Sequence, residues 1–514
     1  MKKLKKFKDR VLMHPLMAFL LLVAFVVVLS GILDLFDASV IYNKLNPKTG
    51  NYESTLITVE SLFSLSGIKY IFSNTVSNFV SFTPLSMLLI TLIGIGIMDK
   101  SGLLDTLFFL LTKNVSKTVV TFVFVLLCVF SSITGDLSFI VFIPLAALLF
   151  KYGKRNPKVG IVMSFASLSL GYGINVFLNS VDSSLLEYTE MSARIISEGY
   201  TIGGHAYLYI MLFAILIGAG IITYITEKIV APKMGKYVSD EEEEIVDKEG
   251  LTRREVRGLV LAGIGVSIYL LIFIYNIIPN VPLGGNLLDY SQSRYIDKLF
   301  GYDSFFNSGF VFVVTMLFFI AGLLYGLGAK TIDNHRDIFN YLSHSLDGIG
   351  KVLILILFAS MFISLLKYTN IGLLITAFLA NVINSSSFTG IPLLLLVFFV
   401  SIITTIFLPT YLSRWTILSG TVVPAMMTSG FTPEFAQLVF SAGSSIVYGL
   451  TPAMAYFVIY ISYLENYDKD GTGLIKSINY IIPYALAIFV MWILLLIVWY
   501  LVGIPLGIGT SAVL

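Results

Sequence analysis

Cysteine is almost missing from this sequence: Cys128 is the one thiol, which excludes an intrachain disulfide and any cysteine-rich metal cluster. Its place inside an apolar run makes it an inert thiol. Histidine is nearly as rare. His14, His205, His335 and His344 show no ligand spacing and fall in loops or near the ends of apolar runs, so no metal site is expected from them. Charge is scarce as well, at 12% of the chain with a formal net value of +2, and the basic residues sit in short loops between apolar runs. That pattern excludes a nucleic-acid partner. A phosphate loop is also lacking: Gly322 to Thr331 reads GLLYGLGAKT, with Ala329 where glycine must precede the lysine. The chain is therefore read as neither an enzyme nor an ATP-driven pump, and no organic cofactor is expected.

What is abundant is apolar surface. The sequence is 57% hydrophobic with a mean hydropathy of +0.89, and its runs approach the roughly 20 residues that a bilayer-spanning helix needs. The expectation is an all-α polytopic membrane protein, one transporter unit over 1–514, with about nine spanning helices and two re-entrant hairpins in inverted repeats. Lys2, Lys3, Lys5, Lys6, Lys8 and Arg10 precede the first run, from about Val11 to Leu33, and should hold the N-terminus in the cytoplasm. That run exceeds a signal-peptide core of about 7–15 residues, and no small-residue cleavage site follows. Residues 37–78 are polar and mixed and are expected outside the membrane. Lys151, Lys154, Arg155 and Lys158 mark a cytoplasmic loop, and so does the hydrophilic segment 227–257, whose acidic run Asp240 to Glu244 reads as a solvated loop.

Two interruptions carry the chemistry. Ser131-Ser132-Ile133-Thr134-Gly135-Asp136 breaks the apolar region that begins at Val119 and resumes at Leu137. A carboxylate in lipid costs from about 2.5 kcal/mol upward, so Asp136 marks a wet cavity or a partner. Gly135 disfavours a continuous helix, and the hydroxyls can bond the backbone groups that a break frees. The segment reads as a hairpin over about 131–150; a kinked helix whose Asp136 pairs with a neighbour is the alternative. The next run carries Ser164, Ser167, Ser169, Gly171, Gly173 and Asn175, a density of small and polar residues that suits a second broken helix. The other interruption is Leu408-Pro409-Thr410-Tyr411-Leu412-Ser413-Arg414-Trp415, with Pro409 as breaker and Arg414 as buried-charge candidate, giving a second hairpin over about 408–428. Aligning Pro144 with Pro424 sets Asp136 on Thr416, and Phe165 to Ser169 matches Phe440 to Ser444 after a short gap. Paired broken helices point to a secondary transporter with a midplane site, unless the likeness of two apolar hairpins is chance.

The order and spacing of several stretches resemble the AbgT, or p-aminobenzoyl-glutamate, transporter family across most of the chain. They are His14-Pro15, Asn78 to Gly102 (NFVSFTPLSMLLITLIGIGIMDKSG), Gly135-Asp136 to Ala146, Lys228 to Tyr237, Leu251 to Gly258 (LTRREVRG), Gly322 to Gly326 (GLLYG), Tyr368 to Gly372 (YTNIG) and Ser413-Arg414-Trp415. The resemblance implies a homodimeric inner-membrane carrier with two inward-pointing hairpins, coupled to a proton or to sodium, with sodium expected near Asp136 if it is the ion. Family members are described as importers of p-aminobenzoyl-glutamate or exporters of sulfonamide-like antimetabolites. The family's hairpin aspartate falls on Asp136, its second-hairpin tryptophan on Trp415 and its pore proline on Pro452. This chain departs from the pattern at three places, with Ser441 near the family's arginine, Ser444 near its aspartate and Thr405 at its asparagine. Arg414 is the residue that would replace the missing arginine. The site set is therefore Asp136, Asn175, Thr405, Ser413, Arg414, Trp415, Ser441 and Pro452. A dicarboxylate or amino-acid carrier of similar hairpin architecture is the alternative function, and a channel is the competing class.

Overall fold

A computed structural model describes residues 14–45, 52–173, 180–203, 205–235, 237, 250–293, 295–300, 304–468 and 471–514. In lipid each backbone N–H and C=O must be bonded within its own segment, so long apolar runs fold as helices. Eight helices among the described residues are long and apolar enough to cross a membrane, and shorter apolar helices fill the spaces between them.

Helix α1 (Pro15–Leu35) starts where His14 caps the Leu16 amide and Pro15 takes the first turn. The polar stretch expected outside is not a plain loop. It forms an antiparallel hairpin of β1 (Ser39–Leu45) and β2 (Tyr52–Thr58), with Ser39 opposite Thr58, and then α2 (Leu65–Val80). Its polar residues hid a helix whose Tyr70 stacks on Tyr368 at 4.2 Å. The chain continues through α3 (Thr83–Lys100), α4 (Leu103–Thr112), α5 (Lys117–Phe130), α6 (Leu137–Tyr152), α7 (Pro157–Gly171) and α8 (Ser180–Arg194). Next come α9 (Leu208–Met234), which runs through a π-turn at Thr226–Val230, and α10 (Arg253–Ile277). The hydrophilic segment expected over 227–257 is thus helical at both ends, and residues 238–249 lie outside the described set. The second half holds α11 (Tyr295–Phe300), α12 (Phe305–Ala329), α13 (His335–His344), α14 (Ile349–Tyr368), α15 (Ile371–Ser385), α16 (Gly390–Phe407), α17 (Tyr411–Thr428), α18 (Pro433–Tyr448), α19 (Phe457–Asn466) and α20 (Leu474–Val502).

Two runs of four helices correspond. In α5 to α8 and again in α16 to α19, two helices meet at a break, the second contains a proline (Pro144, Pro424), and the third opens with one (Pro157, Pro433). Both third helices are buried almost all round, as expected of helices at the centre of a bundle. Their crossing fixes the relation between the halves. A Cβ on Gly173 would stand 3.0 Å from the Cβ of Ser445, and one on Gly449 would stand 2.7 Å from the Cβ of Ser169. Only glycine allows backbones this close. Gly173 and Gly449, Ser169 and Ser445, and Pro157 and Pro433 are all separated by the same number of residues, so the contacts are reciprocal. Positions rising along α7 meet positions falling along α18, so the helices are antiparallel and a pseudo-twofold axis lies across them. Helices related in this way across a bilayer belong to inverted repeats.

Candidate functional site

The first break is built from hydroxyls. Helix α5 ends in a single 3₁₀ turn, Ser131–Thr134, and Gly135 follows at φ 58°, a left-handed conformation that glycine adopts without cost. Ser131 Oγ donates to the Cys128 carbonyl at 2.6 Å, while Thr134 Oγ1 and Ser138 Oγ donate to the Ser131 carbonyl at 2.7 and 2.6 Å. The carbonyls left over at the helix end are thereby satisfied inside the membrane region. Asp136 stands half-buried just ahead of α6. The Tyr172 hydroxyl donates to its Oδ1 at 3.4 Å, and the Tyr456 hydroxyl is its second partner. Both tyrosines stand at helix ends, Tyr172 as the cap that closes α7 and Tyr456 as the cap that opens α19.

At the second break Leu408, Pro409 and Thr410 separate α16 from α17, and Arg414 lies in the first turn of α17, fully buried. Its Nη1 donates to Thr405 Oγ1 at 2.5 Å and Ser444 Oγ at 2.7 Å, with the Ser401 carbonyl at 3.4 Å. Those hydroxyls have their own protons directed elsewhere: Thr405 donates to the Ser401 carbonyl at 2.6 Å and Ser444 to the Phe440 carbonyl at 2.8 Å. Their lone pairs are left to face the guanidinium. The rings of Tyr411 and Phe440 lie 4.9 and 5.0 Å from its central carbon, within cation–π reach. Among the described residues no carboxylate lies within 4.0 Å of Arg414, and its Nε has no hydrogen-bond partner. The three positions where the family resemblance points to arginine, aspartate and asparagine behave differently here: Thr405 and Ser444 hold Arg414 directly, whereas Ser441 is half-buried on the face of α18 toward Gly173.

Tyrosines connect the two breaks. Tyr172 stacks on Tyr448 at 4.7 Å and lies 5.0 Å from Tyr411, and Tyr411 lies 5.6 Å from Tyr448. A cavity of about 20 Å³ opens beside them, lined by Tyr172, Gly173, Asp182, Tyr207, Tyr411 and Ser441 among others; that is room for about one water molecule. The Tyr207 hydroxyl is buried with no partner among the described residues, which makes this small space polar.

The remaining sequence candidates are distributed around this centre. Trp415 is fully buried, its Nε1 donating to Thr189 Oγ1 at 2.8 Å and its ring tilted on Phe440 at 4.6 Å. Ser413 is half-buried on α17, and its carbonyl accepts from Thr416 at 3.0 Å. Pro452 is half-buried in the unwound stretch between α18 and α19, where Thr451 Oγ1 donates to the Ile406 carbonyl at 2.7 Å. Asn175 lies outside the described residues. Residues missed in the sequence are Tyr172, Tyr448, Tyr456 and Asp182. For Tyr172, between Gly171 and Gly173, and Tyr448, before Gly449, the available signal was adjacency to glycine at a helix end, because a tyrosine there has an apolar body to pack and a hydroxyl to direct inward; Tyr456 and Asp182 carry no such signal.

Outside the membrane-spanning segments, the chain end of α7 is tied across the molecule by Asp468. Its carboxylate pairs with Lys158 at 3.2 Å and Lys476 at 3.0 Å and accepts from the Thr472 hydroxyl. Burial acts to raise its pKa, but these hydrogen bonds outweigh it and bring the carboxyl down to about 2.

Comparison with known proteins identifies relatives of this chain. The AbgT putative transporter family matches residues 5–514. The p-aminobenzoyl-glutamate transport protein of Escherichia coli (strain K12) is 26% identical over 497 residues, 96% of this chain and 94% of that protein. Neisseria gonorrhoeae MtrF, whose structure is described as illuminating a class of antimetabolite efflux pumps, is 30% identical over 97% of each chain with a TM-score of 0.50. The Alcanivorax borkumensis YdaH transporter is 26% identical, with 96% of this chain and 100% of that one covered and a TM-score of 0.49. This chain belongs to the AbgT transporter family.

Proposed function

We propose that this protein is a secondary active carrier that moves a small organic solute, of the p-aminobenzoyl-glutamate or antimetabolite kind, across the cytoplasmic membrane at the expense of a proton or sodium gradient. It works as a homodimer with its N-terminus in the cytoplasm. The observation that supports this reading best is the meeting of two broken hairpins at one antiparallel crossing, with an ionisable group at each tip. Asp136 is the group suited to the coupling ion, because it alternates between a neutral and a charged or cation-bound form and stands beside tyrosine hydroxyls that can solvate the charge. Transient water between the hairpins would reach it when the tips separate.

The test is flux into proteoliposomes. Uptake that saturates with p-aminobenzoyl-glutamate or a sulfonamide and collapses when the gradient is dissipated supports a carrier, whereas an unsaturable ion current supports a channel. Asp136→Asn keeps the shape and removes the titratable group, so it should abolish gradient-coupled uptake while the purified protein keeps its thermal unfolding profile. Wild-type uptake by that variant removes Asp136 from the mechanism.

A further inference from the structure

Arg414 is a buried cation with no counter-charge within 4.0 Å among the described residues. A guanidinium presents five N–H donors along three edges, and removing it from water is costly unless those donors and its charge are matched. Here only one nitrogen is well matched. Nη1 is held by Thr405 and Ser444 at 2.5 and 2.7 Å, Nη2 has a single long contact to the Pro409 carbonyl at 3.4 Å, and Nε has none among the described residues. The unmatched nitrogens share an edge. Nε and Nη2 together form the side of the guanidinium fork whose two parallel N–H vectors fit the two oxygens of a carboxylate. Tyr411 and Phe440, whose rings are 5.9 Å apart, approach the group from neighbouring directions and offer the edge no hydrogen-bond acceptor from their ring carbons.

The placement of the fork matters as much as its unmatched donors. Arg414 belongs to α17, the second arm of the hairpin, whereas its anchors Ser401 and Thr405 belong to α16 and Ser444 to α18. A bound anion would therefore complete a contact that joins three helices around the break. We propose that Arg414 is a carboxylate receptor carried on the second hairpin: Nη1 fixes the fork to its neighbours, and the Nε–Nη2 edge takes the carboxylate of an organic acid, whose binding holds the hairpin closed. That this acid is the cargo rests on the carrier reading above; that Arg414 binds a carboxylate does not.

Binding can be read without any gradient, by thermal unfolding of the purified full chain in detergent. The probes are p-aminobenzoate and its neutral isostere p-aminobenzamide, at concentrations up to about 10 mM so that weak binding registers. The acid should raise the unfolding temperature and the amide should not. Arg414→Lys keeps the charge without the fork and should weaken the acid by about ten- to hundredfold, the range expected for a charge-assisted contact. Ser444→Ala leaves Arg414 in place but removes an anchor, and should weaken the acid several-fold even if the Arg414 variants fold poorly. Equal shifts from acid and amide, no shift from the acid in the wild type, or undiminished affinity in both variants would each overturn the proposal. A shift without saturable flux overturns the carrier reading and leaves the receptor standing. Saturable flux without a carboxylate shift does the reverse.

Discussion

At the scale of the residue, charge is what the sequence makes readable. Asp136 and Arg414 stand out because each interrupts an apolar run, and ionisable groups persist in such runs only with a task or a partner. Both lie at hairpin tips joined by tyrosines. The aromatic residues were not readable in the same way, because a tyrosine in an apolar segment has the same appearance whether it faces lipid, core or cavity. Trp415 illustrates the difference. Its neighbours in sequence suggest a stacking surface beside a break, yet the indole is enclosed, with its N–H on Thr189 and its ring on Phe440. Thr189 in turn donates to Gln437 Oε1 at 2.5 Å, so the tryptophan is one end of a buried polar chain linking α17, α8 and α18. Trp415→Ala should then act first on the fold: a cavity of that size costs about 3–5 kcal/mol. The purified variant is expected to unfold at a markedly lower temperature, whereas Trp415→Phe keeps a ring against Phe440, loses the hydrogen bond and part of the indole's volume, and should fall between the alanine variant and the wild type. An Ala variant as stable as the wild type, with altered affinity for aromatic solutes alone, would return Trp415 to the cargo surface.

At the scale of the element, the long apolar helices were legible and the polar ones were not. Residues 65–80 hold serine, asparagine and lysine at many positions, and nothing in that composition foretells that Tyr70 stacks on Tyr368. Helix α8 was missed for the same reason, being a polar helix that buries Leu185, Thr189 and Ser192 against the second hairpin. The hairpin of β1 and β2 has a specific use for one of its residues. Pro424 inside α17 has no N–H to give to the carbonyl one turn earlier, that of Gly420. The Tyr52 hydroxyl donates to that carbonyl, so the strand supplies the bond that the proline removes and ties the sheet to the second arm. Beside this contact lies a cavity of about 580 Å³ lined by Asn43, Tyr52, Asn384, Gly420, Thr421 and Pro424 among others, into which the arm has room to bend. Tyr52→Phe leaves the carbonyl without its partner and should destabilise the arm by about 1–3 kcal/mol. Hydrogen exchange read across α17 is the direct measurement, with faster exchange near Gly420 in the variant and none near Asp136; unchanged exchange at both would mean that water serves the carbonyl equally well.

At the scale of the whole molecule, the repeat was visible as two similar breaks, but its register was not. Pro144 and Pro424 lie in corresponding arms, whereas the central helices follow the spacing set by Gly173 and Gly449, and only their contact reveals that register. The two helices that cross at the centre are also fixed differently at their ends. Helix α7 ends at Tyr172 beside Asp136, while its first turn is held by Lys158 on Asp468. Next to it Arg155 pairs with Glu227 at 2.6 Å and donates to Thr121 at 2.8 Å, joining the base of the first hairpin to α9. Firm bases and unwound tips suit hairpins that open at the centre without separating at the rim. Asp468 offers a pH test of the firm end. Its folded pKa, about 2, lies below the ordinary 3.8, so the carboxylate's contribution to stability is fully present above the ordinary value and is lost as pH falls through the folded one. The unfolding temperatures of wild type and Asp468→Asn should therefore differ by a constant amount from neutral pH down to about 5, draw together as pH falls from about 4, and meet only below about 2. A gap that persists at the acid end would show that Asp468 acts through shape and hydrogen bonding alone, and that its charge pairs with Lys158 and Lys476 add nothing to the tie between the halves.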